Sequence, residues 1–393
     1  MNILKKIPFL MLVCLFSYCK NENASQNAAN DPLKNEKNNI EQPNDFSVSK
    51  FKWGYLDTLG KQIIEPKYDD ASNFSDGMAC VRIKDRWGYI NTKGEMVVEP
   101  NYKAAWSFSN SVARVMTFDN KIGYISKNGA WVTLPRFENV SDFCEGMAVF
   151  EVEEEVGFIN TKGIVVIPHI YEQAWKFQNG RARVKLNGKY GMIDKKGKYV
   201  VKPKFEYLSN FNSLGFAKAS IGEKFGFINL KSEWVVPAKY DEVIDYRFGL
   251  AAVGTNEKYS FWNKKTKQIE KTEYEYIETA NDSLWMFVKK GKFGLMNSFG
   301  EEVLPAQYEQ IYKYSDGMAA YKSGDRWGFL DDKCTVITPP KFNLVWDFKE
   351  GLARAAVNEG IGFIDKSGEF VIPPRYREVR DFSEGLARFQ TEK

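Results

Sequence analysis

One glycine recurs along this chain at a nearly fixed interval, and that interval limits the fold more than any other feature. Gly54, Gly88, Gly123, Gly157, Gly191, Gly226, Gly294, Gly328 and Gly362 lie 34 or 35 residues apart, except for one gap of 68 between Gly226 and Gly294. Ser260 fills the middle of that gap, so the spacing defines ten units. Fourteen residues after each anchor comes an aromatic ring in all ten units, from Tyr68 and Tyr102 to Phe342 and Tyr376. Twenty residues after it, from Phe74 and Phe108 to Phe348 and Phe382, nine of ten are aromatic, Ala280 being the exception. Aromatics are 15% of the chain, so chance does not give this agreement. A chain of 393 residues would otherwise be divided into two or three domains. An array instead buries the apolar face of each unit against its neighbours.

Each unit reads as a short antiparallel meander of three strands. The first resembles Leu386-Ala387-Arg388-Phe389, the second Trp327-Gly328-Phe329-Leu330-Asp331, the third Val371-Ile372-Pro373. The turn after the second strand is Asn or Asp, two residues, then Gly, as in Asn91-Thr92-Lys93-Gly94 and Asp365-Lys366-Ser367-Gly368. The Asx side chain opens such a turn and Gly takes the positive-φ position that closes it. Pro66, Pro100, Pro203 and Pro237 are expected to end the third strand, because proline cannot donate to a ladder. A longer polar connector follows, as in residues 376–385. The second strand is apolar on both faces: Trp87 and Tyr89 point one way, Gly88 and Ile90 the other. Such a strand needs a neighbour on each side, which adjacent units supply. The anchor glycine is then expected to avoid a neighbour's aromatic ring or to let the backbone bend.

Lys52-Trp53-Gly54, Arg86-Trp87-Gly88 and Arg326-Trp327-Gly328 make the chain resemble the WG repeat family of bacterial proteins, also described as KWG repeats in Leptospira. The resemblance covers about residues 50–393 and rests on the whole pattern. The tryptophan is replaced by Ile122, Val156, Tyr190, Phe225, Phe293 and Ile361 in other units. Unit seven departs most, with Ser260 for Gly, Thr272 for Pro and Ala280 for an aromatic. The resemblance implies an all-β scaffold without catalysis, in which Trp53, Gly54, Trp87, Gly88, Trp327 and Gly328 are structural. A curved open solenoid and a closed propeller-like ring both fit ten meanders. Leu386–Phe389 lies beyond the last WG strand and could pair with the first unit, which favours closure. Ten blades are unusually many for a propeller, and the open solenoid is the expected form.

Residues 1–19 read as a lipoprotein-like signal peptide. Lys5 and Lys6 give the positive start, and residues 7–16 are mostly apolar but too short to span a bilayer, which takes about 20 residues. Leu15-Phe16-Ser17-Tyr18-Cys19 resembles a lipobox of the relaxed spirochaete form, with Phe16 and Tyr18 bulkier than usual, and marks Cys19 for lipidation. Residues 20–45 are an Asn-rich tether with almost no large apolar residue, unable to offset its own ordering entropy. The array follows at 46–393. Removing Lys5 and Lys6 lowers the net charge from +4 to +2, so no nucleic-acid partner is expected. Beyond Cys14 and Cys19, the cysteines Cys80, Cys144 and Cys334 sit at unmatched repeat positions, which argues against a regular disulfide pattern and leaves one chance pair open.

Candidate chemistry is sparse. His169 is the only histidine, so a Ser-His or Cys-His nucleophile would depend on it alone, and no His/Cys metal cluster can be drawn. Asp76, Glu145, Asp316, Glu350 and Glu384 recur beside the connector glycine, but no dense calcium loop appears, and they read as solvated turn residues. Glu151, Glu153, Glu154 and Glu155 read as a solvated lip. Trp106, Trp131, Trp175, Trp234, Trp285 and Trp346 lie outside the signature position and could stack on sugars, though core packing explains most of them. There is neither a phosphate-binding loop nor a dinucleotide fingerprint. No catalytic residue, metal or cofactor is expected, and the binding residues are not assigned. The expected function is an exported, lipid-anchored envelope scaffold that binds another macromolecule, most readily a protein. A glycan or cell-wall binder comes second and a hydrolase with acidic site residues third. Replacing Cys19 by Ala should release the protein from the membrane fraction, and a variant that stays bound would show that the lipid is not the anchor.

Overall fold

A computed structural model describes residues 50–255 and 258–392. The signal peptide, Cys19 and the tether lie outside them. The chain forms ten small antiparallel sheets arranged as the blades of a closed ring. We number the blades by the anchor they contain, Gly54 in blade 1 to Gly362 in blade 10. The expected all-β array of ten units is what forms; the expected open solenoid is not.

The reason for closure lies in the two ends. The described chain begins with the third and fourth strands of a blade, Phe51–Asp57 and Gln62–Tyr68. It ends with the complementary half, a bridge between Val379 and Phe389 and the second strand Leu386–Glu392. The halves combine through seven successive antiparallel pairs, from Phe51 opposite Glu392 to Asp57 opposite Leu386. An open array would leave Phe51–Asp57 as an unpaired edge.

Eight of the ten blades have one strand more than the sequence pattern suggested. In six of them it has two residues, as Asp70–Ala71 before Met78–Ile83, and in blades 7 and 8 it is the longer Glu242–Arg247 and Tyr276–Thr279. Two residues carry no visible alternation, so this strand was hidden inside the connector. A tight turn links the two. Ser75 and Met78 form a bridge, while Asp76 (φ 56°) and Gly77 (φ 76°) occupy the left-handed region, the pattern of a type I′ hairpin. The other hairpin behaves as read: Asn91 Oδ1 accepts from the N–H groups of Lys93 and Glu95, and Gly94 closes the turn at φ 80°.

Of the two expectations for the anchor glycine, a neighbour's ring or a bent backbone, the first does not hold: it faces the backbone of its own blade, and the bend lies in the facing fourth strand. Trp53 pairs with Tyr68 but Tyr55 pairs with Ile64, so the fourth strand bulges around Glu65–Lys67. A Cβ on Gly54 would lie 2.5 Å from the Ile64 carbonyl oxygen and 2.7 Å from the Pro66 nitrogen. Proline therefore does not end this strand, which continues to Tyr68. Pro66 occupies the bulge, where its missing N–H costs no ladder bond. The same register shift occurs in every blade except blade 7. There Ser260 pairs regularly with Lys271, and the fourth strand is only Gln268–Lys271. Loss of the glycine and loss of the bulge coincide.

The core consists of ten apolar seams, one between each pair of adjacent blades. Tyr89 packs with Phe108 in the seam with blade 3, at 4.9 Å between ring centroids, while its neighbour Ile90 packs with Ala79 and Val81 in the seam with blade 1. The residue after the anchor also ties blades together: Tyr55, Tyr89 and Tyr124 donate to the Ser72, Trp106 and Ser141 carbonyls. Each buried ring contributes roughly 1.5–3 kcal/mol. The Phe363–Phe382 pair, with Leu56 and Phe389, fills the seam that closes the ring.

Two outcomes follow. A Cβ on Gly191 would lie 2.7 Å from both Val201 O and Pro203 N, so Gly191→Ala should lower unfolding free energy by about 2–4 kcal/mol, whereas Ser260→Ala should be nearly neutral by denaturant titration. In hydrogen exchange, amides near residues 255–285, in blade 7 and the first strands of blade 8, should open faster than those of blades 2 and 3; equal protection would contradict the weak-unit reading.

Candidate functional site

The signature residues lie in the seams. Trp53 is buried beneath the Arg388 guanidinium, 4.9 Å from its ring centroid, and Trp327 stacks on Tyr312 at 4.9 Å. Trp87 is partly buried and packs in the seam with blade 3. Lysines that precede the signature position in five units make one recurrent pair: Lys52 with Asp69, Lys121 with Glu138, Lys189 with Glu206, Lys224 with Asp241 and Lys292 with Glu309. Each partner lies 17 residues on, at the start of the next blade. The solvent-exposed pairs contribute little stability individually.

Most of the tryptophans considered for sugar stacking already have partners. The guanidinium carbon of Arg114 lies 4.5 Å from the Trp106 ring, that of Arg183 3.9 Å from Trp175, and that of Arg354 4.3 Å from Trp346. These arginines are buried and span the seams. Arg114 donates to Asp142 and the Val140 carbonyl, and Arg354 to Asp381 and the Val379 carbonyl. Trp285 is fully buried, and Trp234 packs edge-on against Phe205. Trp131 alone of the six is exposed, its ring edge-on to Tyr102.

The acids beside the connector glycine have a structural task that sequence reasoning missed. Asp76 accepts from the Ser111 N–H, Glu145 from Gly180, Asp316 from Gly351, Glu350 from Gly385 and Glu384 from Gly77. Asn110 does the same to Gly146. Each carboxylate or amide caps the turn of the following blade, and Glu384 carries the series across the closure. Serines reinforce it: Ser75, Ser109, Ser315 and Ser383 donate to the Phe108, Phe143, Phe348 and Phe74 carbonyls. The signal was present at fixed spacing, but the acceptor relation joins neighbouring units and is invisible within one. Glu153, Glu154 and Glu155 are exposed in the lip of blade 4, as expected. Among the described residues no group of three His, Cys, Asp or Glu could hold a metal. His169 is exposed on the fourth strand of blade 4, its ring 5.8 Å from Phe150.

The first turns of units five to eight are Gln178-Asn179-Gly180, Asn212-Ser213-Leu214-Gly215, Arg247-Phe248-Gly249 and Asn281-Asp282-Ser283. Blade 5 keeps the common hairpin, with Asn179 at φ 52° and Gly180 at φ 74°, and blade 8 keeps an acid at its tip, whereas blade 6 inserts a residue and blade 7 puts Phe248 where other blades hold a polar one. The turns of blades 5, 6 and 8 meet those of blades 9 and 10 around a cavity of about 900 Å³. Blades 5 and 10 are opposite on the ring, so this cavity lies on its axis. Five amides, Gln178, Asn179, Asn210, Asn212 and Asn281, line its wall, with Arg181 and Lys313 balanced by Asp282 and Asp347. Asn210 Nδ2 donates to Gln178 Oε1 at 2.7 Å, fixing both. Phe211, Met192 and Leu230 supply apolar surface. Beside it, Lys313 pairs with Glu278 at 2.6 Å and Tyr276 donates to the same carboxylate. Tyr259 donates to Glu242, and burial raises both tyrosine pKa values, keeping them protonated donors. This arrangement can hold a neutral or mixed-charge polar group.

The fold and turns define a ten-bladed β-propeller built from repeats. Nine stretches match the WG containing repeat: residues 53–87, 87–121, 122–154, 157–190, 190–225, 225–259, 293–327, 327–359 and 361–393. The chain belongs to that family, as its sequence resemblance implied, and the unmatched stretch 260–292 holds the divergent seventh anchor. No curated protein matches the chain in sequence. Among solved structures it is similar to a eukaryotic initiation factor, at 13% identity over 87% of this chain and 98% of that one, with a TM-score of 0.43. It is also similar to the extracellular domain of a putative hybrid two-component system of B. thetaiotaomicron, at 10% identity over 80% and 55%, with a TM-score of 0.30. No described helix is long and apolar enough to cross a membrane.

Cys80, Cys144 and Cys334 are free thiols. Burial pushes the Cys80 thiol up to about 11, whereas an unfolded thiol titrates near about 8.5. Between these values the folded chain keeps a proton that the unfolded chain has lost, so stability should fall as pH rises, by about 1.4 kcal/mol per unit from this group. Urea midpoints measured across that window should decline less steeply for Cys80→Ala than for the parent protein.

Proposed function

We propose that this propeller is a non-catalytic scaffold of the cell envelope that binds another macromolecule, a protein, at the face carrying the altered turns. The observation that carries the reading is where the repeat is broken. Units that need only to stack can share one turn, and six seams keep its cap. The turns of blades 6 and 7 give up that pattern, and the turns of blades 5, 6 and 8 line one axial cavity. Loops that depart from a rigid scaffold are where binding residues concentrate. The wall offers donors, acceptors and apolar surface together, which suits a polypeptide. His169, the single histidine, stands outside the cavity wall, which accords with a non-catalytic reading. Export and anchoring through Cys19 would place this face outside the inner membrane, with the tether holding it off the surface.

A glycan is the second reading, favoured by the amides Gln178, Asn210, Asn212 and Asn281, which could bond sugar hydroxyls. The engaged state of Trp106, Trp175 and Trp346 weighs against the broader stacking platform. The mature protein should capture a defined envelope protein in a saturable way and leave a glycan array unlabelled. Saturable glycan binding without a protein partner would overturn the proposal.

A further inference from the structure

The exposed first turns of blades 6 and 7 differ from the other first turns of the ring in a second way, and beside them apolar residues stand at second turns, as Leu59, 80% exposed, does singly in blade 1. Leu214 is 47% exposed at the turn between the first two strands of blade 6, and Leu230 is 44% exposed at the other turn of the same blade. Phe248, at the first turn of blade 7, is 66% exposed, and Phe299, in blade 8, is 69% exposed. Their rings lie 5.9 Å apart. All four belong to turns on one face of the propeller, because strands alternate in direction and both kinds of turn fall at the same end. At the corresponding first-turn positions, other blades present Asp76, Asn110, Glu145, Asp316, Glu350 or Glu384.

These tips border the axial cavity. Leu214 stands between Ser213 and Gly215, and all but Leu214 of these three line the wall, as does Leu230. Arg247, next to Phe248, donates to the carbonyl of cavity-lining Asn281 at 2.9 Å. Phe248 also holds φ 47°, a conformation rare for a bulky residue, and strain of this kind concentrates at functional sites. The second turns of blades 6 and 7 add exposed cations: Lys231, Lys264, Lys265 and Lys267. An apolar strip edged by lysines and opening onto an amide-lined hollow is complementary to one kind of ligand.

We infer that this rim docks an extended, acidic peptide segment of the partner, whose apolar side chains seat on Phe248, Phe299, Leu214 and Leu230 while its carboxylates meet the lysines and its backbone reaches the cavity amides. The inference rests on the protein-binding proposal above and adds the place and the chemistry. A bilayer with anionic lipids offers the same charge and apolarity, but a planar surface cannot enter the hollow. Clustered aromatic anchors rimmed by charge are the usual carriers of interface energy.

The test uses the full mature protein and fluorescent peptides in which Glu and Asp alternate with Leu, Phe and Tyr. Lys-substituted counterparts, phosphatidylglycerol vesicles and maltoheptaose serve as competitors in the same assay. The acidic peptides should bind saturably, the Lys counterparts at least about tenfold more weakly, and the affinity should fall as salt rises. Phe248→Asn, which keeps the left-handed turn accessible, and Phe299→Ser should each weaken binding about tenfold with unchanged melting temperature, and Lys264→Glu with Lys265→Glu should lower the association rate. Equal binding of both peptide sets, preference for the vesicles, or variants that bind as the parent does would overturn the inference. If an envelope protein is captured equally by parent and variants, the docking site is wrong while the scaffold reading stands; if the parent binds no protein at all, both fall.

Discussion

The ladder between Phe51–Asp57 and Leu386–Glu392 turns a row of similar units into one body. Every other seam joins blades that are already consecutive in sequence. This one joins residues more than three hundred positions apart, and three further contacts ride on it: Ser383 on the Phe74 carbonyl, Glu384 on the Gly77 N–H, and the Phe363–Phe382 ring pair beside Phe389. With it, every blade has a neighbour on both faces and every third strand can be apolar on both sides. Without it, Trp53 and Leu56 would lose cover and an edge strand would face water. The axial cavity exists for the same reason, since turns of opposite blades meet only in a closed ring.

Within each blade a second constraint repeats. The third strand approaches the bulged fourth strand so closely that no side chain fits at the anchor. Glycine and bulge therefore depend on one another, and blade 7 shows the converse: with Ser260 the ladder runs in plain register, and Thr272 Oγ1 donates to the Tyr259 carbonyl where other blades hold the bulge. The cost of the change appears as a short fourth strand.

Much of this was legible in the residues. The glycine interval, the aromatics at two fixed offsets and the Asx-Gly turns establish ten β units because each is a local requirement repeated many times. The half-blade at Leu386 is visible too, yet the rarity of ten blades favours an open array, and the geometry of the ends decides otherwise. The rule that proline ends a strand fails here because it does not apply at a bulge. The two-residue strand was too short to show a period. The carboxylate caps and the Arg–Trp pairs escaped because each joins one unit to the next. The cavity could not be read at all: Gln178 and Asp347 share it only through the curvature of the ring. What the sequence does carry is the departure of the turns at Asn212 and Phe248 from the common pattern, which marks the place without giving its shape.

Closure is the claim on which the seams, the cavity and the proposed binding face all depend, and removing the closing half-blade tests it most directly. A chain ending at Tyr376 lacks Val379, Phe382 and Leu386–Glu392. Thermal unfolding followed by near-ultraviolet circular dichroism reports the aromatic seams together. In a closed ring the full chain melts in one cooperative transition, and the truncated chain melts far lower throughout, because every blade loses a shared restraint. An open array sums unit and neighbour terms, so a truncated chain that kept its melting temperature within a few degrees, losing signal only in proportion to the missing half-unit, would contradict the ring.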